Sequence, residues 1–97
     1  MFYFIVPPNI ESHPPETILL KEDKKLSVSC KASGKPVPVV SWYRDGIELT
    51  GNAGSSQYTK DRVKRGDDGN YMCVAKNNAS EDHFTVQVIV QCKSNDN

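Results

Sequence analysis

Two cysteines, Cys30 and Cys73, frame this chain, with Trp42 following the first by 12 residues and Tyr71 preceding the second by two. The second cysteine closes the run Asp67-Asp68-Gly69-Asn70-Tyr71-Met72-Cys73. No other feature constrains the fold as strongly. Around these residues apolar side chains recur in short alternating runs broken by turn signals, and helical periodicity is absent, so the chain reads as all-β. The distinctive residues are core types, which argues against catalysis as their purpose.

Leu26, Val28 and Cys30 point inward on one strand while Ser27 and Ser29 point outward, as a period of two requires. Val40 and Trp42 face inward on the next, leaving Val39, Ser41 and Tyr43 outside. Asp45-Gly46 is a hairpin signal. Tyr71, Cys73 and Ala75 point inward on a later strand, Asn77–Ser80 turns, and Phe84, Val86, Val88 and Val90 line one face of the last strand. Pro7-Pro8 and Pro14-Pro15 bracket an edge strand, because proline cannot donate to a ladder. Ile18-Leu19-Leu20 should continue it beside the final strand, and Lys35–Pro38 forms a turn. The small polar stretch Thr50–Ser56 predicts a flexible loop. Only 31 residues separate Trp42 from Cys73, too few for a nine-stranded sandwich.

At 97 residues the chain holds one domain. A domain of this size buries roughly 60–65% of its unfolded surface, so its core alone is marginal. Twelve basic and twelve acidic side chains cancel, which removes the electrostatic case for nucleic acid. No apolar run approaches the ~18 residues of a membrane span. Residues 1–6 are apolar but lack a basic leader and a full signal-peptide core, so they read as a leader or linker remnant. The domain is placed at 7–91 and an exit linker or tail at 92–97.

Over residues 7–91 the sequence resembles the intermediate (I-set) branch of the immunoglobulin superfamily. The resemblance rests on Pro7-Pro8, Cys30-Lys-Ala-Ser-Gly34, Pro36, Trp42-Tyr-Arg-Asp-Gly46, Asp67–Cys73 and Ala75-Lys-Asn77. It implies an antiparallel β-sandwich of seven to eight strands, with a Cys30–Cys73 disulfide between the sheets and Trp42 packed against it. Closing a loop of that length stabilises by roughly 4 kcal/mol in the chain-entropy model. Tyr71 would form a tyrosine corner, Gly69 would supply the backbone conformation of the turn before it, and Asp67 would pair with Arg62 or Lys64. Such modules occur in tandem in extracellular adhesion, receptor and matrix proteins, and inside muscle cells in titin-like giants. Two positions depart from the family pattern. The strand before the Asp67 turn offers Tyr58 and Lys60 where inward apolar residues belong, which predicts a short, irregular or shifted strand. Ser80 stands where the family usually places glycine, and it completes a sequon.

Beyond the core signature, Asn78-Ala79-Ser80 is an N-glycosylation acceptor pattern at a hairpin tip. Cys92 is an unpaired thiol beyond the last strand, suited to an interdomain or intermolecular bond outside the cell and to a free thiol inside it. Lys60, Arg62, Lys64 and Arg65 form a basic strip, three of them on alternate residues and hence on one face of a regular strand, where a sulfated glycosaminoglycan can bind. The dispersed cysteines and histidines lack metal-ligand spacing, so neither metal nor cofactor is expected. The outward face carrying Tyr43, Met72, Val74 and Ile89 is apolar enough to hold a protein ligand or a second copy. The sequence thus favours a non-catalytic extracellular binding module, with a cytoplasmic sarcomeric or cytoskeletal domain as the alternative.

Overall fold

The computed structural model describes residues 4–92, and the readings placed on residues 1–3 and 93–97 lie outside them. Eight strands follow in order: β1 Val6–Ser12, β2 Thr17–Lys21, β3 Leu26–Lys35, β4 Val39–Arg44, β5 Ile47–Ala53, β6 Ser55–Lys60, β7 Gly69–Lys76 and β8 Glu81–Gln91. One sheet is ordered β1-β3-β6 and the other β2-β8-β7-β4-β5. Every pairing is antiparallel except β2 with β8, which is parallel, so the sandwich is mixed at that edge. Val6, assigned to the leader from sequence, already belongs to β1.

Alternation drives the layering. Leu26, Val28, Cys30 and Ala32 are buried along β3 while the residues between them are exposed. Val40 and Trp42 of β4, Tyr71, Cys73 and Ala75 of β7, and Val86, Val88 and Val90 of β8 meet them from the other sheet. Burying each such valine or leucine contributes about 1.5–3 kcal/mol relative to exposure. The first strand crosses between sheets: β1 pairs with β3, and after residues 13–16 the chain rejoins as β2 beside β8.

The polar stretch after Leu49 is not a flexible loop. Thr50–Ala53 complete β5, paired with β4 from Arg44↔Ile47 to Val39↔Ala53. β5 is an edge, where small polar side chains cost little, and its backbone takes up the β4 groups that face away from β7. Gly54, at φ +80°, then carries the chain to the other sheet. Its N–H donates to Pro38 O and its carbonyl accepts from Ala32 N, both at 2.9 Å, so the crossing is bonded to β3 and to the residue that precedes β4.

β6 also differs from expectation. It runs six residues in unbroken register with β3, from Leu26↔Lys60 to Lys31↔Ser55. Ser56 is buried, and Tyr58 and Lys60 are half-buried on the inward side. Lys60 is tolerated there because its Nζ lies 2.7 Å from Asp67 Oδ1. Beyond it the strand stops, and Val63 turns fully inward, exchanging backbone hydrogen bonds with Asp23 and Lys24. A 3-10 turn follows at Arg65–Asp67. Lys60, Arg62, Lys64 and Arg65 therefore share no strand face. Lys60 and Lys64 are engaged by Asp67 and Asp23.

Candidate functional site

Cys30 and Cys73 are bonded across the two sheets, with Cα atoms 6.5 Å apart. Trp42 stands directly opposite Cys73 in the β4–β7 register and is wholly buried. Its indole N–H donates to Ser56 O at 3.1 Å, reaching across the core to β6. The polar end of the largest core side chain is thereby satisfied.

Tyr71 closes the turn that precedes β7. Its hydroxyl donates to Asp67 O at 2.6 Å, and burial pushes its phenol pKa up. Arg44 lies over the ring at 5.4 Å and reaches back to the Gly66 and Asp68 carbonyls. Gly69, at φ +137°, begins β7 in a conformation side-chain-bearing residues rarely adopt. Replacing Tyr71 by phenylalanine removes a buried donor and leaves a carbonyl short of its partner. Urea unfolding should show a loss of about 1–3 kcal/mol, with the ring packing retained.

Asp67 is nearly inaccessible. Its partners are Lys60 at 2.7 Å, the backbone N–H of Lys64 at 2.7 Å and Arg44 at 3.7 Å. Of the two partners expected from sequence, Arg62 takes no part and Lys64 contributes its backbone. Burial alone would raise the Asp67 pKa; the hydrogen bonds from Lys60 and Lys64 and the nearby Arg44 outweigh it and hold the carboxyl below the ordinary range.

The outer face of β4, β5, β7 and β8 is the main candidate for recognition. Register sets Tyr43 opposite Met72, Ser41 opposite Val74 and Val39 opposite Lys76. With Glu48 and Glu81 these residues line a shallow groove of about 570 Å³. Val39 and Met72 are 53% and 37% exposed. Ser41, expected outside, is buried, paired with Gly51 of the edge strand, whose missing side chain leaves room for the Ser41 hydroxyl and the Glu48 carboxyl. Tyr43 donates to Glu48 at 3.2 Å, a bond that raises its phenol pKa. Ile89 does not join this group. It pairs with Leu19 of β2, four positions along β8 from Thr85, the partner of Met72, or roughly 13 Å away at strand rise. Leu19, 60% exposed, was missed as an outward apolar residue because it sits between two inward ones.

Asn78 is exposed in the turn joining β7 to β8, and Cys92 is an exposed free thiol beyond β8. Among the described residues no cluster of His, Cys, Asp or Glu is placed to hold a metal, and no helix is long and apolar enough to cross a membrane.

Two packed sheets, a bridge between them, a tryptophan beside the bridge and a tyrosine corner together define an immunoglobulin-type sandwich. The chain belongs to the immunoglobulin domain family, which it matches over residues 7–77. It is 31% identical to mouse hemicentin-2 over 85 residues, covering 88% of this chain and 2% of that protein. It is 36% identical to Caenorhabditis elegans protein sax-3 over 92 residues, covering 88% and 7%. A titin homolog of the same nematode is 34% identical over 79 residues, covering 70% of this chain and under 1% of its own length. The chain thus spans only a small part of these relatives. In structure it is similar to a chain of the titin M10–obscurin-like 1 immunoglobulin complex, with a TM-score of 0.79 at 23% identity, covering 92% of this chain and 98% of that one.

Proposed function

We propose that this domain is a non-catalytic I-set protein-binding module of a tandem extracellular adhesion, receptor or matrix protein. It holds a protein ligand or a second copy on the outer face of β4 and β7. The observation that carries this reading is the groove in which Val39, Tyr43, Met72 and Val74 converge around the buried Ser41, mostly apolar in its lining and edged by Glu48, Glu81 and Lys76. An apolar centre with a charged rim is the common anatomy of a recognition surface. The bridged cysteines favour an oxidising compartment, and the similarity to hemicentin-2 and sax-3 agrees. The similarity to the titin homolog supports the second reading, an intracellular spacer of sarcomeric or cytoskeletal type.

Sedimentation equilibrium tests the face. For self-association, Met72→Lys should weaken the dimer at least tenfold while unfolding stability stays within about 0.5 kcal/mol, as exposed substitutions do. A monomeric wild type would exclude the second copy and leave a distinct ligand. Alkylation without reduction, read by mass on protein from its native source, tests the setting. Protected Cys30 and Cys73 support the extracellular reading, and three labelled cysteines select the intracellular one.

A further inference from the structure

The pole of the sandwich at which β1 begins carries the most exposed aromatic side chain among the described residues. Phe4 is 82% exposed and Ile5 57%, and with Lys35, Pro36 and Asn78 they line a second groove of about 470 Å³. That volume lies in the usual range of small-ligand sites, about 300–1,000 Å³. Its wall includes the acceptor asparagine of the sequon Asn78-Ala79-Ser80, all three residues of which are exposed.

The turn that presents Asn78 is held in place by its neighbour. Asn77 Oδ1 accepts from the backbone N–H groups of Ala79 and Ser80, at 2.9 and 3.3 Å. Its Nδ2 donates outward to Val6 O at 2.9 Å and Pro36 O at 3.0 Å. One side chain thus ties the β7–β8 turn to the start of β1 and to the loop before β4, the segments that border the groove. Gly34 permits this, since a Cβ there would stand 3.2 Å from Val6 O and 3.3 Å from Asn77 Nδ2.

Resting on the extracellular reading above, we propose that Asn78 carries an N-linked glycan whose first N-acetylglucosamine seats in this groove. The sugar ring has a C–H face and a polar rim. Its face suits Phe4, Ile5 and Pro36, because an aromatic ring offers its electron-rich face to polarised hydrogens. Its hydroxyl and acetamido groups meet Lys35 and water. Asn78 borders both this groove and the one on the outer face. A group bonded to it is present in either at high effective concentration, ahead of any diffusing ligand. The exposed Phe4 and Ile5 beside Pro36 select this one. The glycan would cover apolar surface that otherwise stands open to association.

The test uses the domain secreted from a eukaryotic host and trimmed by endoglycosidase to one sugar on Asn78. The trimmed form should melt about 2–5 °C above the Ser80→Ala variant, the shift expected of a modest surface contact in a domain of this size. Phe4→Ala should abolish that increment while peptide mass spectrometry still finds Asn78 occupied. An increment that survives Phe4→Ala would overturn the seating. An unoccupied Asn78 on native protein with bridged cysteines would overturn the glycan alone. Free Cys30 and Cys73 in the native source would overturn the extracellular reading, and natural modification with it.

Discussion

Replacing both Cys30 and Cys73 by alanine should lower unfolding stability by about 2–5 kcal/mol. The loop they close spans 43 residues, and its release enlarges the unfolded ensemble by roughly 4 kcal/mol in the chain-entropy model. A packing loss adds to this. The two residues are 2% and 0% exposed, and Trp42 is directly opposite Cys73, so two alanines leave unfilled space beside the largest core side chain. Against a total of about 5–15 kcal/mol for a small domain, the loss removes a large share of the margin. Trp42, the single tryptophan of the chain, provides the fluorescence signal for a urea titration. The comparison belongs in a Cys92→Ser background, where no third thiol can exchange with the bridge. A loss below about 1 kcal/mol would mean that loop closure contributes little here, through strain or a compact unfolded state.

How far the sequence could be read depended on whether a residue's environment is local. Leu26, Val28 and Cys30, or Tyr71, Cys73 and Ala75, lie on strands with one buried face, so alternation alone locates them. The same holds for the Asp45-Gly46 turn, where both residues take positive φ. Thr50–Ala53 misled because their composition is that of a turn, while their conformation is set by pairing with β4. Lys60 misled in the opposite sense. An inward lysine signals irregularity unless a partner exists, and its partner, Asp67, approaches only through the tertiary fold. Val63, a lone apolar residue among charges, carries no periodic signal although it is wholly buried. On the outer face, alternation identified the side correctly for Tyr43, Met72 and Val74 but not the position along it, which separates Ile89 from them by strand register. Asn77 was legible only as a turn residue. Its role as a clamp among three segments depends on where β1 and the Pro36 loop arrive.

Asp67→Asn should cost about 2–4 kcal/mol at pH 7 and far less near pH 2.5. The carboxylate is buried and engaged by Lys60, Lys64 N–H and Arg44. Asparagine keeps its shape but removes the charge that the two cations face. Lys60 is 41% exposed in its side chain, so water offsets part of its loss, and the estimate stays below that for a fully enclosed ion pair. The pH dependence follows from the direction of the shift. Asp67 titrates below the ordinary aspartate range in the folded state, so the unfolded chain takes up its proton first as pH falls. The stabilisation is complete above the unfolded value, about 4, and is lost as pH drops through the lower folded value. Because only the wild type loses this contribution, the gap between wild type and Asp67→Asn should narrow progressively below about pH 4. Lys60→Met, which keeps the apolar stem and removes the ammonium, should reproduce part of the neutral-pH loss and shrink the acid sensitivity. Equal gaps at pH 7 and pH 3 in urea unfolding would show that shape and hydrogen bonding at residue 67, rather than its charge, hold the turn into β7.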